Sequence, residues 1–127
     1  MTPADAHAAR LQRLRKDWQP IPDKPEETPE NTLLALGWAA AGMPRSAIAA
    51  GASTAPPPLD HEAQRRLDVL LEARMAGVPL AHLTGRQHFL GLELLAGPEA
   101  LIPRAETELL GRAAIGLAQE IGAGLAP

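Results

Sequence analysis

The sequence predicts a mainly α-helical protein in which a small helical bundle is followed by a short β-hairpin and a C-terminal helix. Apolar residues make up 46% of the 127 residues, but aromatic residues make up only 2%. The core must therefore be built mainly from leucine and alanine, which favour helices over strands. Apolar residues recur at helical spacing up to Gly85, whereas glycines and prolines beyond it separate short apolar runs that are typical of extended segments.

Residues 1–27 are predicted to be peripheral. Residues 5–18 can form a basic helix with an apolar face that consists of Ala8, Leu11, Leu14 and Trp18. The following sequence, QPIPDKPEETPE, is rich in proline and acidic residues and is predicted to be an extended linker. The basic helix permits an RNA-binding interpretation, but its mixture of charges is more typical of a solvated helix face.

Residues 28–85 are predicted to form a helical domain whose first helix begins after Thr28. Thr28 can cap this helix, Pro29 suits its first position, and Glu30 favours its positive end. The apolar face and the glycine that ends the helix are Leu33, Leu34, Trp38, Ala41 and Gly42. This pattern predicts a helix with one face in the core.

Two further helices and a single turn are predicted in the same domain. A short helix covers residues 44–50, where Gly51 would end it. A longer helix begins at Asp60 as its N-cap and ends at Gly77, and the single turn after it ends at Gly85. The apolar stripe of the longer helix consists of Ala63, Leu67, Leu70, Leu71 and Met75.

The opposite face of this longer helix is charged. Asp68 and Glu72 are placed to pair with arginines about one turn away on the same helix. We therefore expect this face to be exposed to solvent and to have no further role.

The remainder of the chain is predicted to form a hairpin and linker at residues 86–104 and a helical segment at residues 105–127. Short apolar runs separated by glycine and proline indicate the hairpin. The helix itself is predicted over residues 105–121, with an apolar face that consists of Leu110, Ala113, Ala114, Leu117 and Ile121.

The composition disfavours several classes of function. The formal net charge is −3 and neither half of the chain has a strong basic excess, so no direct binding of nucleic acid is expected. The absence of cysteine removes disulfides and the commonest zinc sites. No apolar run is long enough for a signal peptide or a membrane span, so we expect a cytoplasmic protein with no membrane partner.

Few residues suggest chemistry of their own. No histidine is spaced from another as metal ligands are; the histidines are His7, His61, His82 and His88. Neither Ser46 nor Ser53 lies in the context of a nucleophile. Glu106 and Glu108 suit the first turn of a helix, where the dipole favours acids, better than an acid–base pair. Arg104 differs, because it lies at a turn before a helix, from where an arginine can reach into a cleft.

The stretch AGVPLAHLTGRQHFLGLELLAGPEALIPRAETELL resembles the junction of the HemK-type glutamine methyltransferases, enzymes that modify peptide-chain release factors. The family element G-x-P-L-A-x-x-x-G is matched by Gly77, Pro79, Leu80, Ala81 and Gly85. The element F-x-G-L is matched by Phe89, Gly91 and Leu92. The element L-I-P-R-P-x-T-E is matched by Leu101, Ile102, Pro103, Arg104, Thr107 and Glu108.

Two positions depart from the family pattern. His88 stands where the family usually has an acid before the phenylalanine, which removes any role for a carboxylate there. Ala105 replaces a proline after the arginine, and alanine can take the same first helical position without the preset φ.

The resemblance implies a substrate-recognition domain at residues 28–85, N-terminal in an S-adenosylmethionine-dependent protein-glutamine methyltransferase that acts on peptide chain release factors. It implies that Leu101, Pro103 and Arg104 lie nearest the active cleft as substrate-binding residues, and that Phe89 packs in the hairpin. The implied partners are a release factor and a catalytic methyltransferase domain. Without that domain, the apolar edge of the last helix and hairpin is expected to be exposed and prone to association.

The resemblance also implies which parts of the enzyme this chain lacks. In the family, a glycine-rich loop that binds S-adenosylmethionine and an N-P-P-Y motif that holds the glutamine amide follow the L-I-P-R helix. The 127 residues contain neither, so we expect no bound cofactor, no catalytic residue and no activity of this chain alone. Two alternatives stay open: a stand-alone helical protein-interaction module without catalysis, and a small RNA-binding domain that uses the basic helix.

Overall fold

The computed structural model describes residues 2–53, 55–99 and 101–125. Within them the chain forms the predicted helical bundle, β-hairpin and C-terminal helix. The elements are α1 (Pro3–Lys16), α2 (Pro29–Ala40), α3 (Ala47–Ser53), α4 (His61–Met75), α5 (Leu80–Thr84), β1 (Arg86–Phe89), β2 (Leu92–Leu95) and α6 (Ala105–Leu125).

Helix α2 lies at the centre of the bundle and packs against α1, α3, α4 and α5. Its sequence is apolar on nearly all sides, which suits a helix that is surrounded by others. The Thr28 hydroxyl caps it by accepting a hydrogen bond from the Asn31 backbone N–H at 3.1 Å, as predicted. Gly42, with φ +82, follows its C-terminal end. The core around α2 consists of Leu14, Leu33, Leu34, Ala35, Leu36, Ala40, Ala47, Ala50, Leu67, Leu71 and Leu80.

Helix α3 is displaced along the sequence from the prediction, because it begins at Ala47 and contains Gly51. Ser46 sets the start, since its Oγ accepts a hydrogen bond from the Ala49 backbone N–H at 3.3 Å. Gly51 is required by packing rather than by helix termination. A Cβ atom at this position would lie 2.5 Å from the side-chain oxygen of Asn31 on α2.

The prediction that residues 1–27 are peripheral is wrong for the helix they contain. Leu14 is 5% exposed and belongs to the core, with Leu11 and Trp18 packed against it. The proline-rich segment is also more compact than an extended linker. It forms two successive turns, in which the Lys24 N–H donates to the Ile21 carbonyl and the Glu27 N–H to the Lys24 carbonyl, both at 3.0 Å.

The charged face of α4 is not free, because α1 lies beside it. Arg10 Nε contacts Asp68 Oδ1 at 2.8 Å, and Arg13 pairs with Glu72. The predicted pairing of Asp68 and Glu72 with arginines of their own helix is therefore wrong. Tertiary packing offers both carboxylates a partner from a helix about 58 residues earlier in the chain.

The apolar stripe of α4 is buried only in part. Ala63, Leu67 and Leu71 are buried as predicted, but Met75 is exposed. Met75 lies at the C-terminal end of the helix, where the chain turns at Gly77 with φ +105 before α5 packs back against α2.

Candidate functional site

A closed β-hairpin fixes the start of the segment that carries the predicted site residues. The strands are antiparallel, with Arg86 opposite Leu95 and Phe89 opposite Leu92. Between them Leu90 and Gly91, with φ +51 and +78, form a two-residue turn of the type that suits a twisted hairpin. At the other end the Ala96 N–H donates to the Gly85 carbonyl at 2.8 Å. The chain therefore leaves the hairpin from a fixed point.

The hairpin is anchored to the bundle through Glu93 and Ser46. The Ser46 backbone N–H donates to Glu93 Oε2 at 3.0 Å, and the Ser46 hydroxyl donates to Glu93 Oε1. A carboxylate at the start of a helix is favoured by the free N–H groups there, and hydrogen bonds to a charged acceptor are stronger than neutral ones. The contact links β2 to the start of α3.

A second anchor joins the proline-rich segment to β1. Lys24 Nζ donates to Gln87 Oε1 at 3.2 Å and lies 3.9 Å from Glu27 Oε2. Glu27 is 6% exposed. This burial raises the pKa of the Glu27 carboxyl, although Lys24 and Arg74 oppose the effect. The turns at residues 21–27 are therefore held against the hairpin.

These anchors leave a cleft between the turns at residues 21–24 and the chain at residues 98–99 and 101–104, which we call the linker cleft. Its volume is about 490 Å³. The residues that line it are Ile21, Asp23, Lys24, His82, Pro98, Glu99, Leu101, Ile102 and Arg104. The structure thus brings an apolar surface and several charged groups together at one place.

Two of the three predicted substrate-binding residues line the linker cleft. Leu101 is 98% exposed, and Arg104 is also exposed, with its Nη1 3.7 Å from Glu106 Oε1. Pro103 is half-buried and is not among the lining residues. Arg104 also stands at the start of α6, where its carbonyl accepts a hydrogen bond from the Thr107 N–H at 3.0 Å.

Sequence reasoning did not find the other side of this cleft. Ile21 is an isolated apolar residue within the proline-rich segment, and that isolation could have marked it as a packing or binding residue. Asp23 lies in the predicted extended linker, and His82 has no metal-ligand spacing to another histidine. The periodicity of a sequence cannot show that two segments about 80 residues apart lie next to each other in the fold.

Other sequence candidates have ordinary surroundings. Glu108 Oε2 pairs with Arg112 Nη2 at 3.3 Å, one turn along α6. In residues 2–53, 55–99 and 101–125, no three histidine or acidic residues are grouped as a metal site. No helix in that part of the chain is both long and apolar enough to cross a membrane.

The C-terminal helix exposes an apolar surface. We call Leu110, Leu117 and Ile121 the α6 apolar face; these side chains are 71%, 59% and 55% exposed. They follow one another at spacings of seven and four residues, so they lie along one side of α6. Leu92 and Leu95 of the hairpin are also exposed. Exposed apolar surface of this extent is typical of an interface with another protein or domain.

These features define a helical domain with a β-hairpin and a C-terminal helix that both expose apolar side chains. The sequence is similar to release factor glutamine methyltransferases. The enzyme of Pseudomonas aeruginosa is 38% identical over 102 residues, which cover 80% of this chain and 35% of that protein. The enzyme of Haemophilus influenzae is 34% identical over 111 residues, which cover 83% of this chain and 37% of that protein. The enzyme of Burkholderia pseudomallei is 42% identical over 81 residues, which cover 64% of this chain and 26% of that protein.

The chain is therefore homologous to a part of the release factor glutamine methyltransferases, and the resemblance found in its sequence is confirmed. It spans between about a quarter and somewhat more than a third of the length of these relatives. No family model matches the sequence.

Proposed function

We propose that this chain supplies the N-terminal, substrate-recognition domain of an S-adenosylmethionine-dependent glutamine methyltransferase that acts on peptide chain release factors in the cytoplasm. The observation that carries the proposal is the similarity over 80% of this chain to an enzyme of which the aligned segment makes up 35%. A part of an enzyme that folds around its own core is suited to a binding role.

The α6 apolar face supports the second half of the proposal, which is packing against a catalytic methyltransferase domain. The core of the bundle buries its leucines, whereas Leu110 and Leu117 of α6 remain in water. Burying such side chains against another domain is favourable by about 1.5–3 kcal/mol each. The helix is about 32 Å long at 1.5 Å per residue, enough to lie across a whole sheet.

The cofactor would be held by the catalytic domain. Gly122 and Gly124, the glycine pair that could suggest a nucleotide loop, lie within α6 rather than in a loop between a strand and a helix. S-adenosylmethionine would supply the methyl group, and the present chain would supply recognition and orientation of the protein substrate. Titration of the purified chain with S-adenosylmethionine is expected to give no binding, and clear micromolar binding would contradict this division of roles.

Binding of a release factor tests the recognition role directly. Fluorescence anisotropy of a labelled bacterial release factor is expected to rise and saturate as this chain is added. Arg65→Glu is a suitable control variant, because Arg65 is exposed on α4 and does not line the linker cleft. Absence of saturable binding by the folded wild-type chain would overturn the proposal.

Packing against a catalytic domain needs a separate test. The double variant Leu110→Ser/Leu117→Ser removes apolar side chains that the described structure leaves exposed. It is expected to lower binding to the catalytic portion of the Pseudomonas aeruginosa relative, measured by calorimetry, while the affinity for release factor stays within twofold. Equal binding of wild type and variant to the catalytic portion would contradict the proposal that the α6 apolar face packs against a catalytic domain.

A stand-alone interaction module is the second candidate, and it is favoured by the self-contained core around α2. The two candidates differ when this chain is mixed with the same catalytic portion and a release factor. If methylation of the release factor requires this chain, the recognition-domain function is favoured. If the rate of methylation is the same without this chain, the stand-alone interaction module is favoured. RNA binding is less well supported, because Arg10, Arg13 and Arg15 pair with carboxylates of α4 and α2.

A further inference from the structure

We propose that the β-hairpin is a rigid strut between the helical bundle and α6, with Glu93 as the positioning residue at its bundle end and Leu90 at its α6 end. The strut sets the direction in which α6 leaves the bundle. The consequence for catalysis rests on the proposed function. If the bundle grips a release factor and α6 packs against a catalytic domain, the hairpin determines where the substrate lies relative to that domain.

The direction of α6 is not determined by the core of the bundle. That core contains residues of α1, α2, α3, α4 and α5, and no described residue of α6 belongs to it. Residues 96–104 join β2 to α6, and those that the structure describes, 96–99 and 101–104, belong to neither a helix nor a strand. A connection without regular structure does not by itself fix the direction of the helix that follows. Side-chain contacts outside the core are needed to fix it.

Glu93 fixes the bundle end of the hairpin. Both oxygens of its carboxylate accept hydrogen bonds from Ser46, one from the backbone N–H at 3.0 Å and one from the hydroxyl. Ser46 is buried, so without Glu93 two buried donors would lose their partner. Two hydrogen bonds to one charged side chain also restrict its orientation. Strand β2 is thus held in one direction against the start of α3.

The other strand has an anchor of its own. Lys24 Nζ donates to the buried side chain of Gln87 on β1, at 3.2 Å from its Oε1. Gln87 lies opposite Leu94, the residue that follows Glu93, so the two anchors lie at adjacent positions of the ladder. The ladder hydrogen bonds join the strands into one unit, and anchors on both strands oppose its rotation against the bundle.

Leu90 fixes the α6 end of the hairpin. Among the described residues it is the one non-glycine residue with a positive φ, +51, although asparagine or glycine suits this position of the turn better. Strained backbone conformations persist where the surrounding structure holds them. Here the surrounding structure is α6, because a Cβ atom at Gly111 would lie 2.9 Å from Leu90 Cδ1 and 3.5 Å from Cδ2. The leucine therefore fills a notch where the helix lacks a side chain.

The notch also sets the rotation of α6 about its own axis. With 3.6 residues per turn, Leu110 points about 100° away from Gly111, and Leu117 and Ile121 point to the same side as Leu110. When Gly111 lies against the hairpin, these three side chains therefore stay exposed. The strut thus presents the α6 apolar face and does not cover it.

The test measures the direction of α6 in the full chain. The sequence contains no cysteine, so Val69→Cys on α4 and Gln119→Cys on α6, both at exposed positions, give two unique sites for nitroxide spin labels. Double electron–electron resonance is expected to give one narrow distance distribution for this labelled chain. Adding Glu93→Ala is expected to widen the distribution about twofold, since one anchor of the hairpin is lost. Glu93→Gln keeps one acceptor oxygen and should give a smaller increase.

Leu90→Asn distinguishes the strut from a general loss of hairpin stability. Asparagine before Gly91 is favoured in this turn, so the hairpin should be retained while the contact with Gly111 is lost. The distance distribution is expected to widen, although circular dichroism and the urea midpoint stay as in the parent labelled chain. The control Glu62→Ala removes an exposed carboxylate of α4 and should leave the distribution unchanged.

The strut is overturned by a broad distribution in the parent labelled chain, or by an unchanged distribution in Leu90→Asn or in folded Glu93→Ala. If Glu93→Ala does not fold, Leu90→Asn decides, because it preserves the turn.

Failure of the proposed function looks different, since this measurement needs neither a release factor nor a catalytic domain. If both variants widen the distribution and no release factor binds the chain, the strut stands and the proposed function fails. If a release factor binds saturably and the distributions stay unchanged, the proposed function stands and the strut fails.

Discussion

The side chain of Leu90 lies directly against Gly111 of α6, so that a Cβ atom at residue 111 would approach Leu90 Cδ1 to 2.9 Å. Leu90 occupies the left-handed backbone region that side-chain-bearing residues rarely adopt, with φ +51. The tight turn therefore holds a leucine at the tip of the hairpin, and the missing side chain at Gly111 gives it a place on the helix. This contact ties the start of α6 to the hairpin.

Replacing Gly111 by leucine is expected to separate α6 from the hairpin tip, because the new side chain needs the space that Leu90 occupies. NMR should show changed Leu90 methyl shifts and faster amide exchange over the first turns of α6. The matched control is Gly116→Leu in the same helix, where an added Cβ meets no atom within 4 Å. Unchanged Leu90 methyl shifts in Gly111→Leu would contradict the contact.

Leu14 is expected to be as important for stability as the leucines of the central helix, although it lies in a segment that the sequence suggested was peripheral. It is 5% exposed, and Leu→Ala changes in cores cost about 2–5 kcal/mol. We therefore expect Leu14→Ala to lower the free energy of unfolding in urea by about 2–3 kcal/mol. Leu101→Ala, at a residue that is 98% exposed, should change it by less than about 0.5 kcal/mol. Similar values for the two variants would mean that α1 is not docked on the bundle.

Signals between adjacent residues predict where the helices begin and end. Contacts between residues that are distant in sequence determine the features that these signals do not predict. Thr28, Asp60 and Gly85 lie at the predicted helix ends, because capping depends on a few adjacent residues. The role of Gly51 depends instead on Asn31, which lies on another helix. A pattern along the chain cannot distinguish a glycine that ends a helix from one that allows two helices to approach closely.

The candidate site likewise combines residues that a contiguous motif indicates with residues that only tertiary packing brings near. Leu101 and Arg104 could be proposed as site residues because the L-I-P-R element is contiguous, and both line the linker cleft. Asp23 and His82 could not, since they reach the cleft only through the packing of the proline-rich turns against the hairpin. The role of all four residues in binding stays a prediction.

The ion pair between Arg10 and Asp68 is expected to contribute more to stability than an ordinary surface pair. Arg10 is largely buried, and both Nε and Nη2 donate to the Asp68 carboxylate, at 2.8 and 3.3 Å. A double-mutant cycle with Arg10→Ala and Asp68→Ala should give a coupling energy near 1 kcal/mol that falls as NaCl is raised. The comparison cycle is Arg65 and Glu62, 3.6 Å apart and both well exposed, with an expected coupling of about 0.3 kcal/mol. Equal coupling in the two cycles would contradict a specific role of Arg10 in docking α1.

Glu27 should make stability depend on pH in the direction opposite to a salt-bridged acid. Burial raises the pKa of its carboxyl above the ordinary value of 4.5, so the native protein binds this proton more tightly than the unfolded chain. The resulting stability is fully present below the ordinary pKa and is lost as the pH rises through the raised pKa. Above the raised pKa the folded protein carries a buried carboxylate that Lys24 and Arg74 compensate only in part.

Glu27→Gln removes this charge and keeps the shape of the side chain. The urea midpoint of the variant is expected to exceed that of wild type at pH 7, and the difference should shrink toward zero at pH 4. Glu120→Gln, at an exposed position on α6, controls for loss of a surface charge and should leave the midpoint nearly unchanged at both pH values. A variant that is less stable than wild type at pH 7 would mean that the attraction of Lys24 and Arg74 outweighs the cost of burial, and it would contradict a raised pKa of Glu27.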